Sequence, residues 1–326
     1  MVRKITAAGL FCSLAALLSL SLGAARLDLP QLWRCILEGP GSTAGYIFWY
    51  VRLPRTAACL LAGSALSVSG AVIQRVLNNR LASPSIIGVN AGAGLAVTAC
   101  CALGVLSGWA VAGAAFAGAV ASALLIVLVA EKVGASRTTV ILGGVAVNTF
   151  LNALSEALTV LVPEAGMMAG DFRVGGFSAV SHLRLIPAGV LILAGLAILI
   201  SLSNELEVLS LGEETAQSLG LPVRKMRTLF LVLAAMLSGS AVSFGGLLGF
   251  VGLIIPHGIR KLFGTEGRSF LPLCALGGAG FVTACDVLSR VIFAPFELPV
   301  GILLSVLGGP CFIGLLLKQK GGRSHA

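Results

Sequence analysis

Charge is scarce in this chain. Only 11% of its residues are Asp, Glu, Lys or Arg, against about one quarter in a soluble globular domain. That deficit excludes an ordinary soluble fold and points to an integral membrane protein. Aromatic residues are few, at 6%, and no run alternates apolar and polar residues over the length of a membrane strand, which excludes a β-barrel. The eight cysteines include no Cys-x-x-Cys pair and no Cys/His cluster. Seven of them lie in apolar runs, Cys35 being the exception. They read as small buried hydrophobes, with neither a disulfide framework nor a metal site. No phosphate-binding loop of the G-x-x-x-x-G-K-[ST] form occurs, and no His-Glu-x-x-His, Ser/His/Asp or paired-carboxylate arrangement. The three histidines, His182, His257 and His325, stand far apart. The chain therefore reads as non-catalytic and without a cofactor of its own. Any active transport would draw its energy from a partner or from an ion gradient.

What the chain has in abundance is apolar and small side chains. It is 57% hydrophobic with a mean hydropathy of +1.01, and 42 of its 326 residues are Gly. Small residues let membrane helices approach closely, so the expected fold is an all-α bundle. Ten stretches approach the roughly 20 residues that cross a bilayer: 5–25, 56–76, 91–107, 109–130, 139–161, 185–202, 228–248, 249–259, 270–291 and 300–317. The eighth is too short to cross alone and reads as a half-helix covered by its neighbours. The first stretch also resembles a signal peptide, but its apolar run is long for one, which favours a retained helix. Ten crossings place both termini on one side. That side then carries 15 of the 22 Lys and Arg residues, and the other carries Arg26, Arg34, Arg52, Arg55, Arg173, Arg184 and Arg290. The positive-inside rule makes the richer side cytoplasmic. The chain reads as one transmembrane domain, interrupted by a polar 203–227 loop facing the cytosol. A long charged segment in such a chain is expected to touch a soluble partner.

Polar residues inside spans are costly and are candidates for function. Asn148, Asn152 and Glu156 recur at four-residue spacing on one face of the fifth span. They could line a translocation path or serve as interhelical hydrogen-bond glue. Gly63, Ser67, Gly70 and Gln74 form a similar stripe on the second span, where close helix packing is the favoured reading. Asp286 and Arg290, four residues apart, neutralise each other. Arg290 could also join Arg52 and Arg55 on the outer face as a bidentate docking surface for carboxylates of a soluble partner.

The order of several stretches resembles one family. They are Arg52-Leu-Pro-Arg55, Ser69-Gly-Ala-Val-Ile-Gln74, 79–92, 211–224, Gly249-Phe-Val-Gly-Leu-Ile-Ile-Pro-His257 with Arg260, Asp286 with Arg290, Glu297-Leu-Pro-Val-Gly301, and Leu307-Gly-Gly-Pro310. Together they resemble the permease subunits of ABC importers for iron-siderophore, heme and cobalamin uptake, the FecCD-type family, from about residue 46 to the C-terminus. The resemblance implies type II ABC importer architecture with about ten transmembrane helices. It also implies a dimer of permeases (a second copy, or a related subunit), two cytosolic ATPases that bind ATP and Mg, and one extracytoplasmic binding protein. Carried over by motif, Glu213, Glu214, Gln217, Leu219 and Gly220 would dock on the ATPase. Arg52, Arg55 and Arg290 would dock acidic residues of the binding protein, and Thr138 and Thr139 would lie near the gate. Two departures stand out: Asn79-Arg80 where the family often has Asn-Pro, and 171–177 without the usual Trp. Arg173 in that second loop reads as a solvated charge, with an anionic ligand as the alternative. The expected function is import of an iron chelate, with heme or cobalamin as alternatives on the same scaffold. A proton-coupled secondary transporter, relaying through Glu156 and Asp286, is the rival from another class.

Overall fold

A computed structural model describes residues 2–23, 28–133, 137–264, 267–292, 294 and 296–321. Arg26 and Arg323, and the last two residues of the first predicted span, lie outside the described residues. Helices α1 (Val2–Ser21), α2 (Leu29–Glu38) and α3 (Thr43–Tyr46) lead through a π-helical segment, Ile47–Arg52, into α4 (Leu53–Val76). Then come α5 (Val89–Ala102), α6 (Gly108–Val133), α7 (Arg137–Leu161), α8 (Pro163–Met168), α9 (Gly170–Val174) and α10 (His182–Ser201). The polar loop holds α11 (Ser203–Ser210) and α12 (Glu213–Ser218), followed by α13 (Val223–Gly245), α14 (Val251–Phe263), α15 (Phe270–Val291) and α16 (Val300–Gly321). Among the described residues there is no strand.

Each of the ten predicted stretches is helical, but ten crossings do not follow. Among the described residues, six helices are long and apolar enough to cross a membrane. A seventh span is available if Leu185–Ser201 and Ser203–Ser210, bent by 59°, are counted together. Val89–Ala102 and Val300–Gly314 are apolar but shorter. The predicted half-helix is α14, whose 13 residues rise about 20 Å, short of the roughly 30 Å hydrocarbon core. It begins after Phe250, a non-glycine residue at φ 64°. The Phe250 ring fills the space over Gly308 of α16, where a Cβ would overlap it. Packing of the ring on α16 offsets a backbone conformation that L side chains rarely adopt.

The centre of the bundle is α4, with 20 of its 24 residues buried. A helix buried on every side needs partners all round, and α13, α14 and α15 surround it. The contacts are backbone on backbone. A Cβ at Gly63 would overlap the carbonyl of Gly278 in α15, and one at Gly70 would overlap the carbonyl of Gly252 in α14. Between them Ser67 donates to the Cys274 carbonyl at 2.7 Å, and Gln74 donates to the Gly252 carbonyl at 2.9 Å. The stripe of small residues is thus a packing seam, as the sequence indicates. A second seam joins α5 to α6 through Gly92 and Gly118. All eight cysteines are free thiols.

The sequence reading did not anticipate α2. Its signals were local. Asp28 and Gln31 form a capping box with Pro30 in the first turn, and Leu32 and Cys35 pack on Phe48.

Candidate functional site

Three polar constellations are set into this apolar frame. The first lies where α1, α4 and α15 meet. Asp286 is fully buried and is gripped by Arg55, whose Nε lies 3.1 and 3.2 Å from its two carboxylate oxygens and whose Nη2 lies 3.0 Å from Oδ1. Arg290 Nε reaches Oδ2 at 3.0 Å, the i, i+4 pair expected from the sequence. Arg290 also donates to Ser19 Oγ at 2.8 Å and to the Leu22 carbonyl at 3.1 Å. Ser19 in turn shares a hydrogen bond with Thr56 at 2.7 Å. Arg52 donates to the Leu20 carbonyl. The remaining valence of Arg55 is met by Glu297 at 2.7 Å, whose side chain is 36% exposed. The structure thus brings Arg52, Arg55 and Arg290 together at one end of the bundle, and all three are buried. Burial of three cations is tolerable because each carries a charge or a carbonyl partner. Glu297 escaped the reading of the charges because 242 positions separate it from Arg55. Its Glu-Leu-Pro-Val-Gly surroundings were the available signal.

A cavity of ≈ 410 Å³ is lined among others by Asp171, Phe172, Gly175, Gly176, Phe244 and Pro299. Its walls are tied together through the backbone, Gly176 N donating to the Gly245 carbonyl at 2.9 Å and Gly301 N to that of Gly175 at 3.1 Å. Arg173 does not face solvent alone, contrary to the favoured sequence reading. It is half-buried between α5 and α7, and its Nη2 donates to Ser155 at 2.8 Å, Thr98 at 3.2 Å and Thr159 at 3.4 Å. Three hydroxyl dipoles stand in for the water it gave up.

The second constellation is α7. Asn148 is half-buried and donates to the carbonyls of Ser85 at 2.8 Å and Ile86 at 3.4 Å. It therefore ties α7 to the turn before α5. Asn152 and Glu156, on the same face, are exposed. Thr138 is exposed and Thr139 half-buried in the first turn of α7. Only 17% of the residues in the apolar window of α7 are buried.

The third is the polar segment. Helix α12 is held by Ala216, which is fully buried, and by an ion pair from Glu213 to the buried Arg227 of α13. Glu213 is thus committed to its own chain. Glu214, Gln217, Leu219 and Gly220 are exposed. Gly220 sits at φ 82° and closes α12, its N–H donating to Gln217 and that of Leu221 to Ala216, both at 2.9 Å. A left-handed helix terminus of this kind selects glycine.

Buried ion partners at one end, a polar helix pair at the other and an exposed polar face between them are the parts of a membrane-spanning transport subunit. A profile of the FecCD transport family matches residues 11–318. The vitamin B12 import system permease protein BtuC of Salmonella paratyphi A is 37% identical over 328 residues, covering 98% of this chain and 96% of that one. The Fe(3+)-citrate import system permease protein YfmD of Bacillus subtilis is 35% identical over 303 residues, covering 93% and 91%. A solved ABC transporter assigned to the metal-chelate type, in an inward-facing conformation, superposes with a TM-score of 0.88 at 29% identity, covering 98% of this chain and 100% of that one. The chain belongs to the FecCD transport family and is a multi-pass permease subunit of the ABC importer class, with the type II fold. The proton-coupled alternative is set aside by this assignment.

Proposed function

We propose that this permease carries ferric chelates inward, driven by ATP that a partner hydrolyses. The observation that carries the reading is the family match over residues 11–318 together with a 35% identical relative named for ferric citrate. Two permease copies would enclose the path between their α7 faces, where Asn152 and Glu156 are exposed and much of the helix is uncovered. Thr138 and Thr139 would stand at the gate. Two cytosolic ATPases would seat on α12, chiefly on Glu214, Gln217, Leu219 and Gly220, with Glu213 transmitting their movement to α13 through Arg227. An extracytoplasmic binding protein would dock over Arg52, Arg55 and Arg290. Its carboxylates would reach Arg55 by exchange with Glu297. In this reading both termini and 203–227 would face the cytosol, the side that carries more Lys and Arg if the chain crosses ten times.

The test is uptake into proteoliposomes holding the permease, its ATPase and its binding protein. Labelled ferric citrate, a ferric siderophore, heme and cyanocobalamin are offered in parallel. ATP-dependent accumulation of a ferric chelate supports the reading. Accumulation of cobalamin or heme alone overturns the substrate assignment.

A further inference from the structure

We propose that the groove between α1, α14 and α15 is a binding site for an anionic phospholipid, one acyl chain lying in the groove and the headgroup phosphate resting on Arg3, Lys4 and Lys261. Both α1 and α14 pack on α15, and the gap left between them is a groove of ≈ 370 Å³. Its walls are Ala7, Ala8 and Phe11 of α1, Ile254, Ile255, Gly258, Ile259, Leu262 and Phe263 of α14, and Gly277 and Phe281 of α15. No charged residue is among them. Small residues open the space: a Cβ added at Gly258 would meet nothing within 4 Å.

One end of the groove is apolar and the other is cationic. Arg3 precedes Ala7 by one helical turn and Lys4 precedes Ala8 by one turn, so both sit below the groove on its own face of α1. Lys261 follows Gly258 at i+3 on α14. Arg3 and Lys261 are exposed. Lys4 closes that end, its Nζ donating to the Phe263 carbonyl at 2.5 Å. An ammonium has three donors, so this bond leaves others for a phosphate. An apolar slot in a lipid-facing surface cannot hold water without loss, and three cations at its mouth select an anion. A phospholipid of negative charge satisfies both requirements with one molecule. The opposite end, at Phe11 and Phe281, lies deeper in the span, as an acyl chain requires.

The test is native mass spectrometry of the permease from mixed micelles containing equal phosphatidylglycerol and phosphatidylcholine. The wild-type chain is expected to retain phosphatidylglycerol preferentially. Removing two of the cations, Arg3→Gln with Lys261→Gln, is expected to lower that preference about 25-fold. Gly258→Leu, whose Cβ meets nothing within 4 Å and whose side chain occupies the groove, is expected to abolish retention while the protein stays monodisperse. Equal retention of the two lipids by the wild-type chain overturns the proposal, as does undiminished retention in Gly258→Leu. Disulfide-linked dimers formed through Gly258→Cys would also overturn it, because a second copy of the chain would then cover the groove.

Discussion

Replacing Asp286 by alanine should be among the most damaging single changes in this protein. The carboxylate is fully buried and is approached by Arg55 at 3.0 to 3.2 Å and by Arg290 at 3.0 Å. Its removal leaves two guanidinium groups inside the bundle with less than their compensating charge. Breaking a buried ion pair from one side costs about 3–5 kcal/mol. Here Glu297 still holds Arg55 at 2.7 Å, and Ser19 and the Leu22 carbonyl still hold Arg290. These partners place the expected loss at the lower end, about 3 kcal/mol, or roughly a hundredfold in the folding equilibrium. The assay is an SDS titration in mixed micelles, followed by the loss of helical circular dichroism. Arg55→Met and the double variant complete a cycle. The double variant should lose less than the sum of the singles, by between about 0.5 and 3 kcal/mol, because Arg55 no longer needs a partner. A loss under about 1 kcal/mol for Asp286→Ala, or strict additivity, would refute the view that this carboxylate neutralises the arginines.

Four further outcomes are expected. Gly70→Val drives a branched side chain into the Gly252 carbonyl and should cost about 1–3 kcal/mol or more, read as a lowered midpoint of thermal inactivation in detergent. Gly113→Ala, where nothing lies within 4 Å, should instead be neutral or stabilising by up to about 1 kcal/mol. Leu219→Arg alters an exposed residue of the polar segment, so folding should change by less than about 0.5 kcal/mol while substrate-stimulated ATPase activity of the complex is lost; normal stimulation would remove 211–225 from the coupling pathway. Arg52→Glu should weaken docking of the binding protein at least about tenfold and alter its salt dependence, and unchanged docking would leave Arg52 with a purely structural role.

The membrane class and the helical stretches were legible because lipid imposes a coarse rule on composition, and the Gly63 to Gln74 seam was legible because small residues recurred on one face. The pairing of Asp286 with Arg290 was legible for the same local reason, a spacing of four. Burial was harder to read. Arg52, Arg55 and Arg290 looked like an outward surface because Glu297 and the carbonyls of α1 that receive them lie far away in sequence. Arg173 looked solvated because its hydroxyl partners come from two helices that only the tertiary fold brings to it. The short 249–259 stretch was legible as a half-helix from its length, whereas hydropathy gave no sign that α5 is only 14 residues long. Helix α2 was passed over because ten residues fall below the length that signals a span, although its caps were visible.

The seam around α4 has a consequence for inheritance. Where Gly63 meets Gly278 and Gly70 meets Gly252, no side chain intervenes to absorb a change by adopting another rotamer. A substitution on one helix cannot be rescued by trimming the residue opposite, since there is nothing left to trim. Such positions drift only if whole helices are displaced, and each displacement would disturb every other neighbour of α4. The central helix should therefore act as a ratchet on divergence, with change accepted more easily on the lipid-facing and loop surfaces than at these close backbone contacts.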